Sequence, residues 1–371
     1  MKDSSNLWKY GALALFILFA SLFLLRQIPI FQPEGSRMTE TVWMPGPEFT
    51  PTPNVNAPPL REMAQQRGFL IGAAVAVEPL ERDAAYAEVL AREFNVLTPE
   101  NVMKFSFIQP QRSVFDFSQA DKLVEFAAGH GMQVRGHTLV WHQQLPAWVN
   151  ALGCDELETV LKEHIQTLVG HYRGRVFAWD VVNEALEENG SRRQTLWQRC
   201  LGDDYLAKAF RWANEADEQA LLFYNDYNIE IPGAKSEAAY QLVKDLLEAG
   251  APIHGIGLQM HLVNAPSPRY LEGYIKRFAE LGIQVHITEL DVRLKQPVDA
   301  ETLAWQALVY RDVLDVCLRS SNCTALVTWG FTDRYSWIPD FFAGYGDALI
   351  FDGKYQPKPA YWEFSRLLEG Q

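Results

Sequence analysis

The sequence predicts a (β/α)8 barrel, the TIM-barrel class of α/β folds. From about residue 60 onward, short runs of β-forming residues alternate with segments of helical periodicity, and about eight such units follow one another. The 371 residues of the chain accommodate one barrel of ~250 residues or more and an N-terminal appendage. An open doubly wound sheet is the alternative, but no glycine-rich phosphate-binding turn follows an early strand.

The predicted strands are short runs of β-branched, aromatic and other apolar residues. They cover residues 69–75, 94–98, 132–139, 175–182, 220–225, 253–259, 283–288 and 324–330. Between them, apolar residues recur at helical spacing over 118–129, 157–171, 205–217, 235–249, 269–281 and 300–318. This alternation predicts a parallel barrel with its helices outside.

Residues 1–31 form an N-terminal segment with a basic start and an apolar middle. Lys2 and Lys9 precede an uncharged stretch at 11–25, which Arg26 closes. This stretch suits the apolar region of a signal peptide and is shorter than the ~20 residues that span a bilayer comfortably. No Ala-x-Ala cleavage site follows it. A cleaved signal peptide and an uncleaved membrane anchor are therefore both open, and either one predicts an exported protein, secreted or held at the cell surface.

Residues 32–60 predict an extended linker. Seven prolines occur in this stretch among threonine, asparagine and glutamate residues. Proline interrupts both helices and central strands, so the segment suits a tether that holds a folded domain away from its attachment point. We expect that domain to occupy residues 61–371.

Charge and cysteine content exclude some functions. The net charge of −13 and the absence of a basic stripe argue against a nucleic-acid partner. The cysteines, at 154, 200, 317 and 323, lack the close pairs of a structural zinc site and allow three connectivities. Cys317 and Cys323 are near enough in sequence for a short clip ahead of a strand. The histidines at 137, 142 and 261 do not form the ligand set of a catalytic zinc, and no metal is expected.

In a barrel of this class the active site lies at the C-terminal ends of the strands, so the residues that close each strand are the candidates. Solvated polar residues are common at strand ends, yet here polar or aromatic side chains follow nearly every apolar strand. They are Glu100, Asn101 and Lys104 at the end of strand two, His137 and Trp141 at the end of strand three, Asn183 and Glu184 at the end of strand four, Tyr227 at the end of strand five, Gln259 and His261 at the end of strand six, Glu289 at the end of strand seven, and Trp329 and Trp337 at and beyond the end of strand eight.

Two of these residues, Glu184 and Glu289, form a pair suited to cleaving a glycosidic bond. One carboxyl can serve as general acid and base while the other attacks the sugar carbon. Each glutamate alone would more simply be a strand-end acid that faces water. The 11 tryptophans and 14 tyrosines suit stacking against sugar rings, although a tryptophan-rich core accounts for part of this content.

Ten segments in order give the chain a family resemblance. From about residue 61 to 369 it resembles the endo-β-1,4-xylanases of glycoside hydrolase family 10. The segments are GAAV at 72–75, TPENVMK at 98–104, FDFSQAD at 115–121, GHTLVWHQQLPAWV at 136–149, WDVVNEA at 179–185, YNDYNIE at 224–230, GIGLQMHL at 255–262, ITELDVR at 287–293, TWGFTDRYSWIP at 328–339 and YQPKPAY at 355–361. One departure is Met260, where the family often has a small residue, on what we expect to be the rim of the site.

The resemblance implies a retaining endo-xylanase that acts on xylan and xylo-oligosaccharides without a cofactor. Glu184 would be the acid/base and Glu289 the nucleophile, with His261 bonded to Glu289 and Asn183 on the sugar 2-hydroxyl. Tyr227 would lie on the leaving-group side. The remaining sugar-binding residues would be Glu100, Asn101, Lys104, His137, Trp141, Gln259, Trp329 and Trp337.

The resemblance also implies a disulfide between Cys317 and Cys323. Cys154 and Cys200 are expected in the loops after strands three and four, and their pairing is left open. We expect a monomer. Burial and the charge of Glu289 should keep Glu184 protonated, while donors such as His261 should favour an ionised Glu289.

Two other functions are compatible with the same residues. A β-1,4-glucanase or another β-glycanase could use the same barrel and glutamates, although Trp329 and Trp337 would crowd the extra hydroxymethyl group of glucose. A non-catalytic sugar-binding protein is the second, and the presence of both glutamates argues against it.

Overall fold

The structure, a computed structural model, describes residues 53–370 and confirms the barrel. Eight parallel strands close on themselves, each paired with its neighbours in chain order and the last with the first. They are β1 (Leu70–Val75), β2 (Val96–Pro99), β3 (Gln133–Val140), β4 (Ala178–Asn183), β5 (Leu221–Asp226), β6 (Gly255–Leu258), β7 (Gln284–Val292) and β8 (Cys323–Thr328). Every predicted strand overlaps one of these.

Two-residue strands extend the sheet near the site. His261–Leu262 runs parallel to the end of β7 and sets His261 opposite Asp291. Leu294–Lys295 pairs antiparallel with Tyr345–Gly346.

Helices follow the strands. The described residues form Leu60–Gln66, Val77–Arg82, Ala84–Glu93, Phe105–Ile108, Ser118–Gly129, Ala147–Asn150, Cys154–His171, Leu196–Leu201, Asp204–Ala216, Ala234–Glu248, Pro268–Glu280, Ala300–Arg319, Ile338–Phe341 and Pro359–Glu369. The six predicted helices are among them, with ends displaced by less than one turn. The short helices were not predicted, because four to seven residues carry too little periodicity.

The barrel interior contains a buried polar layer below the strand ends. The Arg135 guanidinium on β3 donates to the Asp180 carboxylate on β4, through Nε at 3.3 Å and through Nη2. Its Nη1 lies 2.8 Å from Nδ1 of His286 on β7, and its Cζ lies 4.5 Å from the ring centre of Phe223 on β5. Each charge has a partner of opposite sign or a hydrogen bond, which buried ions require.

Both pairs of cysteines are bonded in the described region. Cys317 joins Cys323, and Cys154 joins Cys200 across a sequence separation of 46 residues. Cys154 is the first residue of helix Cys154–His171 and Cys200 lies inside helix Leu196–Leu201. The expectation that both lie in loops was therefore wrong, since the chain turns helical directly after each loop.

The predicted signal or anchor segment at 1–31 and the linker up to residue 52 lie outside the described residues. The first described helix begins at Leu60, whose side chain is buried and whose backbone N–H donates to Glu93 Oε2 at 3.1 Å. Among the helices that the structure describes, none has the length and apolar character needed to cross a membrane.

Candidate active site

Every candidate residue lies at the C-terminal end of the barrel, and a network of contacts connects them. Glu184 follows β4, and Glu289 lies within β7, which continues past it to Val292. Both side chains are almost fully buried, with Glu184 9% and Glu289 4% exposed. Two carboxylates this well shielded from water are not ordinary strand-end acids.

Amide side chains link the two carboxylates. Asn225 Nδ2 donates to Glu289 Oε1 at 2.7 Å and to Asn183 Oδ1 at 2.8 Å. Asn183 Nδ2 lies 3.2 Å from Glu184 Oε1, and Gln259 Nε2 donates to Asn183 Oδ1 at 3.1 Å and to Glu184 Oε1 at 3.3 Å. The strands β4, β5, β6 and β7 thereby position both carboxylates within one hydrogen-bonded unit.

Glu289 is surrounded by donors. His261 Nε2 lies 3.1 Å from Glu289 Oε2, and His261 Nδ1 lies 2.8 Å from Asp291 Oδ2. His137 Nδ1 lies 4.0 Å from Glu289 Oε1 and is hydrogen-bonded at 2.9 Å to Asp180 Oδ2. A histidine that bonds two carboxylates through its two ring nitrogens donates to both, and this requires its protonated form.

These contacts make Glu289 more acidic than an ordinary buried carboxyl group. Burial by itself would raise the pKa of Glu289, but the hydrogen bond from His261 and the positive charges of His137 and His261 lower it below the usual value. Burial would lower the pKa of His261, whereas the charge of Asp291 and the bonds to Asp291 and Glu289 raise it to about 10. The pair therefore exists as a carboxylate and an imidazolium at neutral pH. The expectation that Glu184 keeps its proton stays a prediction.

A polar group faces these carboxylates from β2. Lys104 Nζ donates to Asn101 Oδ1 at 2.9 Å, and Asn101 Nδ2 lies 3.3 Å from Glu100 Oε1. Lys104 Nζ also lies 4.9 Å from the ring centre of Trp141 and 5.9 Å from that of Trp329. Burial lowers the pKa of Lys104, and the negative charges of Glu289, Glu100 and Glu184 oppose that effect.

Two tryptophan rings pack against the histidines beside Glu289. The Trp329 ring packs edge-on against His137 at 5.2 Å and against His261 at 6.1 Å between ring centres. Trp337 lies 5.0 Å from His261 and donates from Nε1 to Asp291 Oδ2 at 2.8 Å. The contact with Asp291 fixes the orientation of the Trp337 ring.

Tyr227 is connected to the backbone of Glu184 through the Arg193 guanidinium. Its hydroxyl is 3.0 Å from Arg193 Nη2, and Lys235 Nζ lies 3.4 Å from its ring centre. The roles of the thirteen candidate residues stay predictions.

Sequence reasoning missed several buried or half-buried polar residues that hold the candidates in place: Arg135, Asp180, Arg193, Asn225, Lys235 and Asp291. The available signal was the occurrence of charged or amide residues inside otherwise apolar strands, as with Asp180 in β4. Met260 was expected on the rim but is fully buried in the core with φ of 60°. With this left-handed backbone, the Met260 side chain lies in the core, whereas Gln259 and His261 contact the two glutamates.

Within residues 53–370, no group of three or more histidine, cysteine and acidic side chains is arranged to hold a metal ion. Two buried carboxyls, one directly after β4 and one within the last part of β7, flanked by tryptophans and polar side chains, define a glycoside hydrolase on a (β/α)8 barrel.

Comparisons with known proteins agree with that class. The profile of glycosyl hydrolase family 10 matches residues 59–366. Endo-1,4-β-xylanase B of Thermotoga neapolitana is 46% identical over 322 residues, which cover 84% of this chain and 92% of that protein. β-1,4-Xylanase of Dictyoglomus thermophilum is 45% identical over 328 residues, covering 84% and 91%.

Solved structures match equally well. Native xylanase 10B from Thermotoga maritima superposes with a TM-score of 0.82 at 46% identity, covering 84% of this chain and 98% of that one. Xylanase 10B from Thermotoga petrophila RKU-1, in complex with xylobiose, gives 0.83 at 45% identity, covering 86% and 98%. The chain belongs to glycosyl hydrolase family 10.

Proposed function

We propose that this protein is a retaining endo-β-1,4-xylanase that cleaves internal bonds of xylan by double displacement. This proposal rests on the hydrogen bonds through which Asn225 and Asn183 join Glu289 to Glu184. Relatives named as endo-1,4-β-xylanases and a related structure that holds xylobiose support xylan as the substrate.

In the first half-reaction, ionised Glu289 attacks the anomeric carbon of a xylose unit. The bond from that carbon to the glycosidic oxygen breaks, its electron pair stays on the oxygen, and Glu184 supplies the proton that lets the leaving chain depart as an alcohol. Attack requires a carboxylate without an intervening water, and the lowered pKa of Glu289 provides one.

In the second half-reaction, the ester between Glu289 and the sugar is hydrolysed. Glu184, now a carboxylate, accepts a proton from water as the water oxygen attacks the anomeric carbon and displaces Glu289. Two inversions give net retention, and the mechanism needs carboxyl groups about 5–5.5 Å apart.

The neighbouring residues would hold the sugar ring. Lys104, His137 and Gln259 present hydrogen-bond donors within the site, and Asn183 lies beside Glu184, where it can reach the 2-hydroxyl. Trp329 and Trp337 would cover the ring and crowd the hydroxymethyl group of glucose, which favours xylan over β-1,4-glucan. Tyr227 would contact the sugar on the leaving-group side.

The deciding experiment measures reducing-end release from xylan and from a soluble cellulose by the full chain and by Glu289→Ala. Glu163→Ala, on the exposed surface of helix Cys154–His171, is the matched control. We expect xylan hydrolysis by the wild type and the control, with a loss of at least about 10⁴-fold in Glu289→Ala. Retention is checked by the anomeric configuration of the first product.

Two other outcomes would change the proposed function. Faster hydrolysis of cellulose would make the protein a β-1,4-glucanase with the same two glutamates. Xylan binding without hydrolysis, unchanged by Glu289→Ala, would make it a sugar-binding protein.

We also propose that the protein is exported as a monomer, secreted or anchored through residues 1–31. Both disulfides support an oxidising compartment. N-terminal sequencing of the protein from the membrane and medium fractions distinguishes an intact anchor from a cleaved signal, and light scattering measures its mass in solution.

A further inference from the structure

The backbone of Glu184 has an unusual conformation. Its φ is +58°, in the left-handed region that non-glycine residues adopt only where the surroundings impose it. On one side, its N–H donates to the carbonyl oxygen of Asn225 at 2.9 Å, which ties it to β5. Its carbonyl oxygen requires a partner of its own to hold the turn.

That partner is Arg193. Residues 185–193 form a tight hairpin in which Leu186 bridges Arg192 and the Arg193 N–H donates to the Ala185 carbonyl at 2.8 Å. The hairpin brings the Arg193 side chain back to the backbone of Glu184. Its Nε donates to the Glu184 carbonyl oxygen at 2.9 Å, and its Nη2 donates to the Leu186 carbonyl oxygen at 2.9 Å.

Arg193 also joins this turn to the loop after β5. Its Nη2 lies 3.0 Å from the Tyr227 hydroxyl, and its side chain is 17% exposed. Lys235 supports the Tyr227 ring from below and forms ion pairs with Asp226 and Glu188, each at 3.0 Å. One guanidinium therefore contacts both loops that carry residues of the leaving-group side.

The segment that follows Arg193 is fixed at its far end. Thr195 caps helix Leu196–Leu201, Trp197 Nε1 donates to the Trp141 carbonyl at 2.9 Å, and Cys200 is bonded to Cys154. These attachments limit how far the Arg193 backbone can move, so its guanidinium is a rigid support and not an exposed, freely rotating side chain.

We propose that Arg193 is a positioning residue for proton transfer: by holding the Glu184 carbonyl oxygen, it aims the Glu184 carboxyl at the glycosidic oxygen. The inference rests on the proposed function. Arg193 itself touches neither the reacting carbon nor Glu289. It acts through Glu184, and its removal impairs the steps that need a proton from Glu184 more than the attack by Glu289.

Two β-xylobiosides that differ only in their leaving group separate these steps. Phenyl β-xylobioside releases phenolate, a poor leaving group that needs the proton. The 2,4-dinitrophenyl β-xylobioside releases 2,4-dinitrophenolate, which departs without one. For Arg193→Met we expect kcat/KM, which reports bond cleavage, to fall about 10- to 100-fold on the phenyl substrate and less than about threefold on the dinitrophenyl substrate. Arg193→Lys keeps the charge and one donor and should lie between wild type and Arg193→Met.

Arg192→Met is the control, because Arg192 lies in the same hairpin and pairs with the exposed acids Asp203 at 3.9 Å and Asp245 at 3.7 Å. It should match the wild type on both substrates. Equal losses on both substrates in the Arg193 variants, or no loss on the phenyl substrate, would overturn the inference while the proposed function stood. If Arg193→Met does not fold, the same ratio in Arg193→Lys decides. A wild type inactive on both substrates would overturn the proposed function, and this inference with it.

Discussion

Glu289 is ionised because of its neighbours and in spite of its burial. Water barely reaches it, and burial alone would favour the neutral acid. His261 changes that balance because it is itself held as a cation by Asp291. Asp291 thus keeps His261 protonated, and protonated His261 in turn lowers the pKa of Glu289.

His261→Gln tests this chain. The amide keeps a donor but lacks the charge, so the pKa of Glu289 should rise and the acidic limb of the kcat/KM profile on xylan should move to higher pH. Below the new limb we expect activity to fall at least about tenfold, because the protonated carboxyl cannot attack. An unchanged acidic limb would contradict the role of His261. The exposed His130, at the end of helix Ser118–Gly129, provides His130→Gln as control.

At the scale of elements, the strand order and the face of the site were predictable. Eight apolar runs with polar ends predict a closed barrel, and barrel geometry then places Glu184 and Glu289 on one face. Asn225 and Asp180 were not predicted as site residues, because a polar residue inside a strand becomes informative only when its partners are known. Those partners, Glu289 on β7 and Arg135 on β3, come from other strands. Local patterns contain no information on such pairs.

Gly257 in β6 shows how an element supports the site. An added Cβ would lie 2.2 Å from Asn225 Oδ1 and 2.8 Å from Thr288 Cγ2. Gly257→Ala should therefore displace Asn225 from Glu289, with a loss of roughly tenfold or more in kcat/KM and about 1–3 kcal/mol in the free energy of unfolding.

The matched control for this substitution is Gly273→Ala. Gly273 lies inside helix Pro268–Glu280, and nothing approaches its added Cβ within 4 Å. Alanine there should leave activity unchanged and raise stability by about 0.5–1 kcal/mol. Wild-type activity in Gly257→Ala would show that Asn225 tolerates the shift.

At the scale of the whole molecule, several buried carboxyls set how stability depends on pH. Burial raises the pKa of Asp226 and Asp333 to about 6 even though Lys235 and Lys358 form ion pairs with them. Burial raises the pKa of Glu230 to about 7, and its Oε2 has no hydrogen-bond partner among the described residues. Between the ordinary pKa values, 3.8 for aspartate and 4.5 for glutamate, and these raised values, the three carboxyls bind more protons in the folded chain than in the unfolded chain. Their contribution to stability therefore falls as pH rises.

Glu230→Gln should remove the largest single part of that dependence. The folded pKa of Glu230 is about 7 against a model-peptide value of 4.5, which corresponds to about 3 kcal/mol lost between pH 4 and pH 8. Urea unfolding at a series of pH values should give a free-energy difference, Glu230→Gln minus wild type, that grows by about this amount as pH rises. The exposed Glu163→Gln should instead run parallel to the wild type. If Glu230→Gln also ran parallel, Glu230 would have to gain a partner on ionisation, and its carboxylate would be accommodated without cost.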